Sequence, residues 1–165
     1  MAAGFDEELT GRDNAIISSM LLGHSKKVAI DNMDEINEFS ELGLSFLEPV
    51  KTYSSGMKAR LGFSTAITMH ADVLLVDEVL GVGDANFRVK AEKAILDKIN
   101  SDQTVVFVSH SANQIKRLCN RAVWLENGEI IRVGYAQEVV DEYKEYSQKI
   151  KIKSRITVLV QYELQ

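Results

Sequence analysis

The chain predicts an α/β fold: a helical part followed by a mostly parallel sheet with crossover helices. Three observations predict it. Val73-Leu74-Leu75-Val76 and Thr104-Val105-Val106-Phe107-Val108 are short continuous apolar runs, as expected of buried parallel strands. Between them, Phe87, Ala91, Ile95 and Ile99 recur every four residues, which is a helix stripe. Strand, helix, strand, helix in that order implies an α/β layer. Upstream, residues 1–48 carry ten acids against three bases, a balance of −7, while 49–165 carry fourteen against sixteen. The single proline, Pro49, stands at that division.

The elements follow in order. Thr10-Gly11-Arg12-Asp13 reads as a capping box, with Ile16, Ile17, Met20 and Leu21 at helical spacing behind it. Ser25 caps a second helix with Ile30, Met33, Ile36 and Phe39 on one face and Gly43 at its end. A further helix starts at Tyr53-Ser54-Ser55-Gly56-Met57. After the second strand, Ile115, Leu118 and Cys119 mark another. Glu126-Asn127-Gly128-Glu129 lies between two apolar runs, and Asn-Gly in that setting signals a hairpin. Val139, Val140, Tyr143 and Tyr146 form a last helix. From Lys149 on, Lys and Ile alternate and Ile156–Leu164 is strand-like: a basic linker with an edge strand, or part of a longer chain.

Composition narrows the function classes. With 45% apolar and 26% charged residues over 165 positions, the chain is globular rather than disordered. A net charge of −5 argues against a nucleic-acid binder. One cysteine, Cys119, excludes an internal disulfide and a multi-cysteine metal site. No apolar run approaches the roughly 20 residues of a membrane helix, and the start lacks the pattern of a signal peptide. A soluble, cytoplasmic chain is expected, with any membrane role supplied through a partner.

Four polar clusters carry chemistry. Val73–Val76 ends in Asp77-Glu78, so two carboxylates stand at the carboxyl edge of a parallel sheet, where ligands bind in open α/β folds. Such acids either hold a metal and orient water or cap the next turn. Ser54-Ser55-Gly56 opens a helix whose free N–H groups favour phosphate; a plain serine cap is the alternative. Gly81-Val82-Gly83-Asp84 is a flexible turn. His110 follows Val108-Ser109 at a second strand end, where its imidazole either donates to a phosphate oxygen or serves structure. His24 and His70 lack such placement.

All four clusters lie within 57 residues, Ser54 to His110, and in this order they resemble the ATP-binding subunits of ABC transporters, a P-loop NTPase fold. Tyr53-Ser54-Ser55-Gly56-Met57 resembles the signature loop, with Ser55 where a glycine is usual and Met57 where a glutamine is. Val73–Asp77 resembles Walker B, with Glu78 at the catalytic-glutamate position and Val79 for the common proline; separately, Asn120 stands before Arg121 where an aspartate is typical. Gly81–Asp84 matches the D-loop and His110 the switch histidine. Ala2-Ala3-Gly4-Phe5, Glu8–Asn14, Pro49–Met57 and Val82-Gly83-Asp84 are similar to the polysaccharide-export branch, in particular its teichoic acid exporters.

The resemblance implies a helical signature subdomain at 1–70, the carboxyl-terminal half of an ATPase core at 71–148, and a tail, 149–165, of unassigned role. It implies ATP and Mg²⁺ as ligands. Asp77 holds Mg²⁺ through water, Glu78 polarises the attacking water and His110 contacts the γ-phosphate. Ser54, Ser55, Gly56 and Met57 form the signature site acting on the opposite subunit's nucleotide, and Asp84 passes closure across a head-to-tail dimer. The partners implied are a second copy and a polytopic permease at the cytoplasmic face of the membrane, touched by residues 1–48. The chain contains no Gly-Lys pair, hence no Gly-x-x-x-x-Gly-Lys phosphate loop. A carboxyl-terminal portion, inactive alone and an ATP hydrolase when full length, is the expectation. A soluble ABC-type ATPase acting on nucleic acid or ribosomes, or a non-catalytic interaction fragment, are the alternatives.

Overall fold

The structure, a computed structural model, describes residues 4–77, 83–101, 104–109 and 111–150, with the side chains of Asp77, Lys149 and Ile150 set aside. These residues fall into two compact units: 4–70 with 83–95, and 71–77 with 96–150. Glu78, His110, Gly81, Val82 and the strand-like tail lie outside the described residues.

The first unit is helical. Helix α1 (Gly11–Leu21) starts at Thr10, whose hydroxyl accepts the Asp13 amide at 3.0 Å and donates to the Asp13 carboxylate at 2.6 Å. The N-cap half of the expected capping box is therefore formed, while the Asp13 carboxylate takes the Thr10 hydroxyl rather than the Thr10 backbone amide. The buried side of α1 differs from the expectation. Gly11, Asn14, Ala15 and Ser19 face inward with Ile16, while Ile17, Met20 and Leu21 are exposed. Small residues let α1 approach its neighbours closely, and the large ones are left outside.

The helix expected from Ser25 to Gly43 is two. Helix α2 (Lys26–Asp31) is capped by Ser25, and α3 (Met33–Ser40) follows a break at Asn32. Asn32 turns its side-chain amide back onto the Val28 carbonyl at 2.8 Å, satisfying an acceptor that a continuous helix would have used. The left-handed residue that ends α3 is Glu41 at φ 57°, two positions before Gly43. Short 3-10 turns, Gly43–Leu47 and Val50–Thr52, lead to α4 (Ser55–Thr68).

Met33, Ile36, Phe46, Val50 and Leu61 fill the core of this unit. Each side chain removed fully from water contributes about 1.5–3 kcal/mol before entropy is counted. Phe39, Phe63 and Phe87 close one side, with all three ring centroids 6.0 Å apart. Phe87 comes from α5 (Ala85–Ile99), whose stripe Phe87, Ala91, Ile95 and Ile99 is buried throughout, as its spacing predicts.

In the second unit β1 (Val73–Asp77) pairs in parallel with β2 (Thr104–Val108), Asp77 opposite Val108. The expected mostly parallel sheet is two separate two-stranded sheets among the described residues. Burial is also one-sided. Leu74, Val76, Val105 and Phe107 are buried, whereas Val73 and Leu75 are 51% and 65% exposed. Strand pleating sends alternate residues to opposite faces, and among the described residues one face is covered. Helix α6 (Ala112–Leu118) is capped by Ser111. Strands β3 (Arg121–Glu126) and β4 (Glu129–Tyr135) form the hairpin that Asn127-Gly128 predicts, with both turn residues at positive φ. Helix α7 (Ala136–Ile150) packs Val139 and Val140 inward, and Tyr143 and Tyr146 meet Trp124 edge-on at 5.5 and 4.8 Å. Among the described residues, no helix is long and apolar enough to cross a membrane.

Candidate functional site

A cleft of about 560 Å³ lies within the first unit, at the N-terminus of α4. Ser54, Ser55, Gly56, Met57, Ala59, Arg60, Gly83 and Asp84 line it. Two of the four polar clusters read from the sequence, the serine-glycine helix start and the Gly83-Asp84 turn, therefore share one cavity. Tertiary folding brings them together across nearly thirty residues of chain.

The floor of the cleft is a helix start. Ser54 is the N-cap, its hydroxyl accepting the Met57 amide at 3.2 Å. The plain-cap reading of Ser54 is thus satisfied. A hydroxyl that accepts in this way keeps its proton for a second partner, so the cap does not preclude ligand contact. The amides of Ser55 and Gly56 occupy the first turn, where no intrahelical acceptor exists. A Cβ placed on Gly56 would meet only Ser54 Oγ, at 3.8 Å, so the backbone there is open to approach. Met57 packs against the hydrophobic core, a contact that a glutamine amide would make poorly.

The wall is charged and internally paired. Arg60 Nη2 donates to the Asp84 carboxylate, while Asp84 Oδ1 accepts the Phe87 amide at 2.9 Å and so caps α5. The Phe87 amide, then the charges of Arg60 and Arg88, hold Asp84 below the ordinary carboxylate value. Arg60 also lies 5.1 Å over the Phe87 ring and faces Glu41 Oε2 at 3.6 Å. Gly83, at φ 72°, sits where a Cβ would press on Phe87 at 3.1 Å. With Arg60 and Asp84 neutralising each other, the unbalanced field is the positive end of the α4 dipole, which suits an anion.

The residues behind this wall escaped sequence reasoning. Arg60 reads as an ordinary helix-surface cation, and Glu41 as one acid of an acidic stretch. No local spacing links positions 41, 60 and 84. Asn14 belongs to the Glu8–Asn14 run that carries the resemblance, but no spacing marks its bonding role. It is 2% exposed, accepts the Asp6 amide at 2.8 Å and donates to the carbonyls of Asp6, Leu9 and Thr10.

In the second unit, the parallel register sets the carboxyl ends of β1 and β2 side by side, Asp77 against Val108. Beyond β2, Ser109 is buried; its hydroxyl donates to Gln114 Oε1 at 2.8 Å and accepts the Ser111 amide at 3.0 Å. Among the described residues, no group of three or more His, Cys, Asp or Glu is arranged to hold a metal ion. Cys119 is buried, and desolvation pushes its thiol up to about 12, so it is an inert core group.

No family model matches the chain. It is 42% identical over 145 residues to the O-antigen export system ATP-binding protein of Klebsiella pneumoniae, covering 88% of this chain and 59% of that protein. It is 41% identical over 150 residues to the teichoic acids export ATP-binding protein of Lactococcus lactis, covering 91% and 32%. With the teichoic acids export ATP-binding protein of Staphylococcus epidermidis it shares 39% over 153 residues, covering 93% and 58%. The chain thus spans from about a third to three fifths of the length of these relatives.

Proposed function

We propose, from the premise that this chain is homologous to the ATP-binding proteins of O-antigen and teichoic acid export systems, that it carries the signature subdomain and part of the ATPase core of an ABC exporter subunit. The subunit couples ATP hydrolysis to export of a cell-wall polysaccharide, teichoic acid foremost. The observation that carries this reading is that likeness over about nine tenths of the chain, and the cleft at α4 supports it. Residues 1–70 are taken as the helical subdomain, 71–148 as core.

The roles follow from chemistry. The Ser54 hydroxyl and the Ser55 and Gly56 amides bind the γ-phosphate of ATP held by a second copy, in a head-to-tail dimer. Met57 completes that loop by anchoring it to the core. Asp77 would hold Mg²⁺ through water, and the bound ion would supply charge neutralisation at the phosphates. Glu78 orients and polarises the attacking water; His110 donates to the γ-phosphate from its own subunit's side. Asp84 transmits closure between copies, and closure completes the catalytic site.

The permease partner docks on residues 1–48, at the cytoplasmic face of the membrane. Ile17, Met20, Leu21 and Leu22 of the α1 end, with Val28 and Ile30 of α2, leave apolar surface exposed within this acidic part of the chain. That composition fits a basic amphipathic loop.

The test uses the full-length ATP-binding subunit. Ser54→Arg abolishes ATP hydrolysis while leaving ATP binding largely intact; retained turnover sinks the signature assignment. Glu78→Gln traps an ATP-bound dimer, and unchanged hydrolysis removes Glu78 from its role. The 165-residue chain alone shows no saturable ATP binding in calorimetry; micromolar affinity would overturn its expected inactivity.

A further inference from the structure

Glu41 is held in a backbone conformation that its side chain does not favour. Its φ of 57° and ψ of 30° are left-handed, at a helix end where glycine is the usual occupant and asparagine the next. A residue with a Cβ pays for this geometry, so an outlier of this kind asks what the side chain does.

The side chain joins three helices. Glu41 Oε1 accepts Lys90 Nζ of α5 at 2.9 Å, and Oε2 faces Arg60 Nη1 of α4 at 3.6 Å. Lys90 is itself fixed. It donates to the Phe39 carbonyl at 2.9 Å and the Glu38 carbonyl at 3.4 Å at the end of α3, and lies 4.7 Å over the Phe39 ring. The other terminal nitrogen of Arg60 meets Asp84 at the cleft. Charges alternate along the line Lys90, Glu41, Arg60, Asp84. The Arg60 side chain is 20% exposed and rests on Phe87, with one terminal nitrogen hydrogen-bonded to Asp84 and the other within ion-pair range of Glu41.

We propose that Glu41 is a positioning residue for the α4 cleft: braced by Lys90, its carboxylate holds one edge of the Arg60 guanidinium so that the other edge engages Asp84 and fixes the Gly83-Asp84 turn against the helix start. This deepens the proposed function, and it rests on that reading only in treating the cleft as a phosphate site. The geometry itself is independent of the ligand.

The sign of one titration shift decides between positioning and simple charge. Arg60 from α4, Arg88 on its own helix, and the Asn86 and Phe87 amides are the groups that lower the Asp84 carboxyl. If Glu41 acted only as a nearby negative charge or as a competitor for Arg60, removing it would lower the Asp84 midpoint further. If Glu41 holds Arg60 in place, removing it lets the guanidinium swing away and the Asp84 midpoint rises.

The experiment is a side-chain carboxyl carbon NMR titration of Asp84 in the 165-residue chain, for wild type, Glu41→Gly and Glu41→Gln. Glycine relieves the left-handed strain and so keeps the fold, while glutamine keeps the length and loses the charge. An upward shift in both variants is expected. A downward or unchanged midpoint in the folded variants overturns the proposal. Because no nucleotide is present, a failure of the phosphate reading, seen as Ser54→Arg retaining turnover, is separable from a failure here.

Discussion

Arg60 and Asp84 meet across the cleft with Asp84 committed twice: one carboxylate oxygen receives the Arg60 guanidinium, the other caps α5 through the Phe87 amide. The two functions are separable by substitution. Asp84→Asn keeps a cap acceptor and loses the charge, whereas Asp84→Ala loses both. Thermal midpoints should fall in the order wild type, Asp84→Asn, Asp84→Ala. In a double-mutant cycle with Arg60→Ala, Asp84→Asn should be less than additive. An Asp84→Asn midpoint as low as that of Asp84→Ala would show that the ion pair, not the cap, dominates.

Gly11 is required by Tyr53. A Cβ at position 11 would overlap the Tyr53 hydroxyl oxygen and lie 3.1 Å from the Phe46 carbonyl. That phenol is buried and donates to the Ser45 carbonyl at 2.5 Å, so it cannot step aside freely. Gly11→Ala should cost about 2–3 kcal/mol in denaturant unfolding, at the upper end for overpacking. Tyr53→Phe alone should cost about 1 kcal/mol through the lost hydrogen bond. Combining them should recover part of the Gly11→Ala loss. Strict additivity would refute the steric account.

Asn14 staples the segment 6–10 to α1. Its amide nitrogen donates to three carbonyls and its oxygen accepts the Asp6 amide, all from a buried site. Asn14→Asp retains the acceptor and loses every donation, so it should destabilise at least as much as Asn14→Leu, by about 2–3 kcal/mol. Hydrogen exchange should show the Asp6 amide losing protection in Asn14→Leu more than in Asn14→Asp.

Two carboxylates should make the fold less stable as the pH falls. Asp84 is lowered by the Phe87 amide and the Arg60 charge, and Asp141 by its hydrogen bond from Lys116 and that residue's charge. A carboxyl held lower in the folded state than in the unfolded one makes the unfolded chain bind more protons as pH falls. Its stabilisation is therefore present above the ordinary value of 3.8 and lost below it. Unfolding midpoints measured from pH 6 downward should decline through that window. The double variant Asp84→Asn with Asp141→Asn should show a shallower decline, and an unchanged slope would place the acid sensitivity elsewhere.

What the chain determines by itself is local. Thr10 and Ser54 sit before helical spacing and cap real helices; Asn127-Gly128 turns a real hairpin; Phe87, Ala91, Ile95 and Ile99 share one buried stripe. These signals act within a few residues, so they survive reading in one dimension. What tertiary structure decided is which neighbours compete. Glu41 ends α3 in the left-handed region, and its carboxylate meets Lys90 and Arg60, which lie 49 and 19 positions further along the chain. Val73 and Leu75 are as apolar as Leu74 and Val76, yet only one pair is covered. Burial depends on what arrives from elsewhere in the chain, and the cleft uniting Ser54 with Asp84 exists for the same reason.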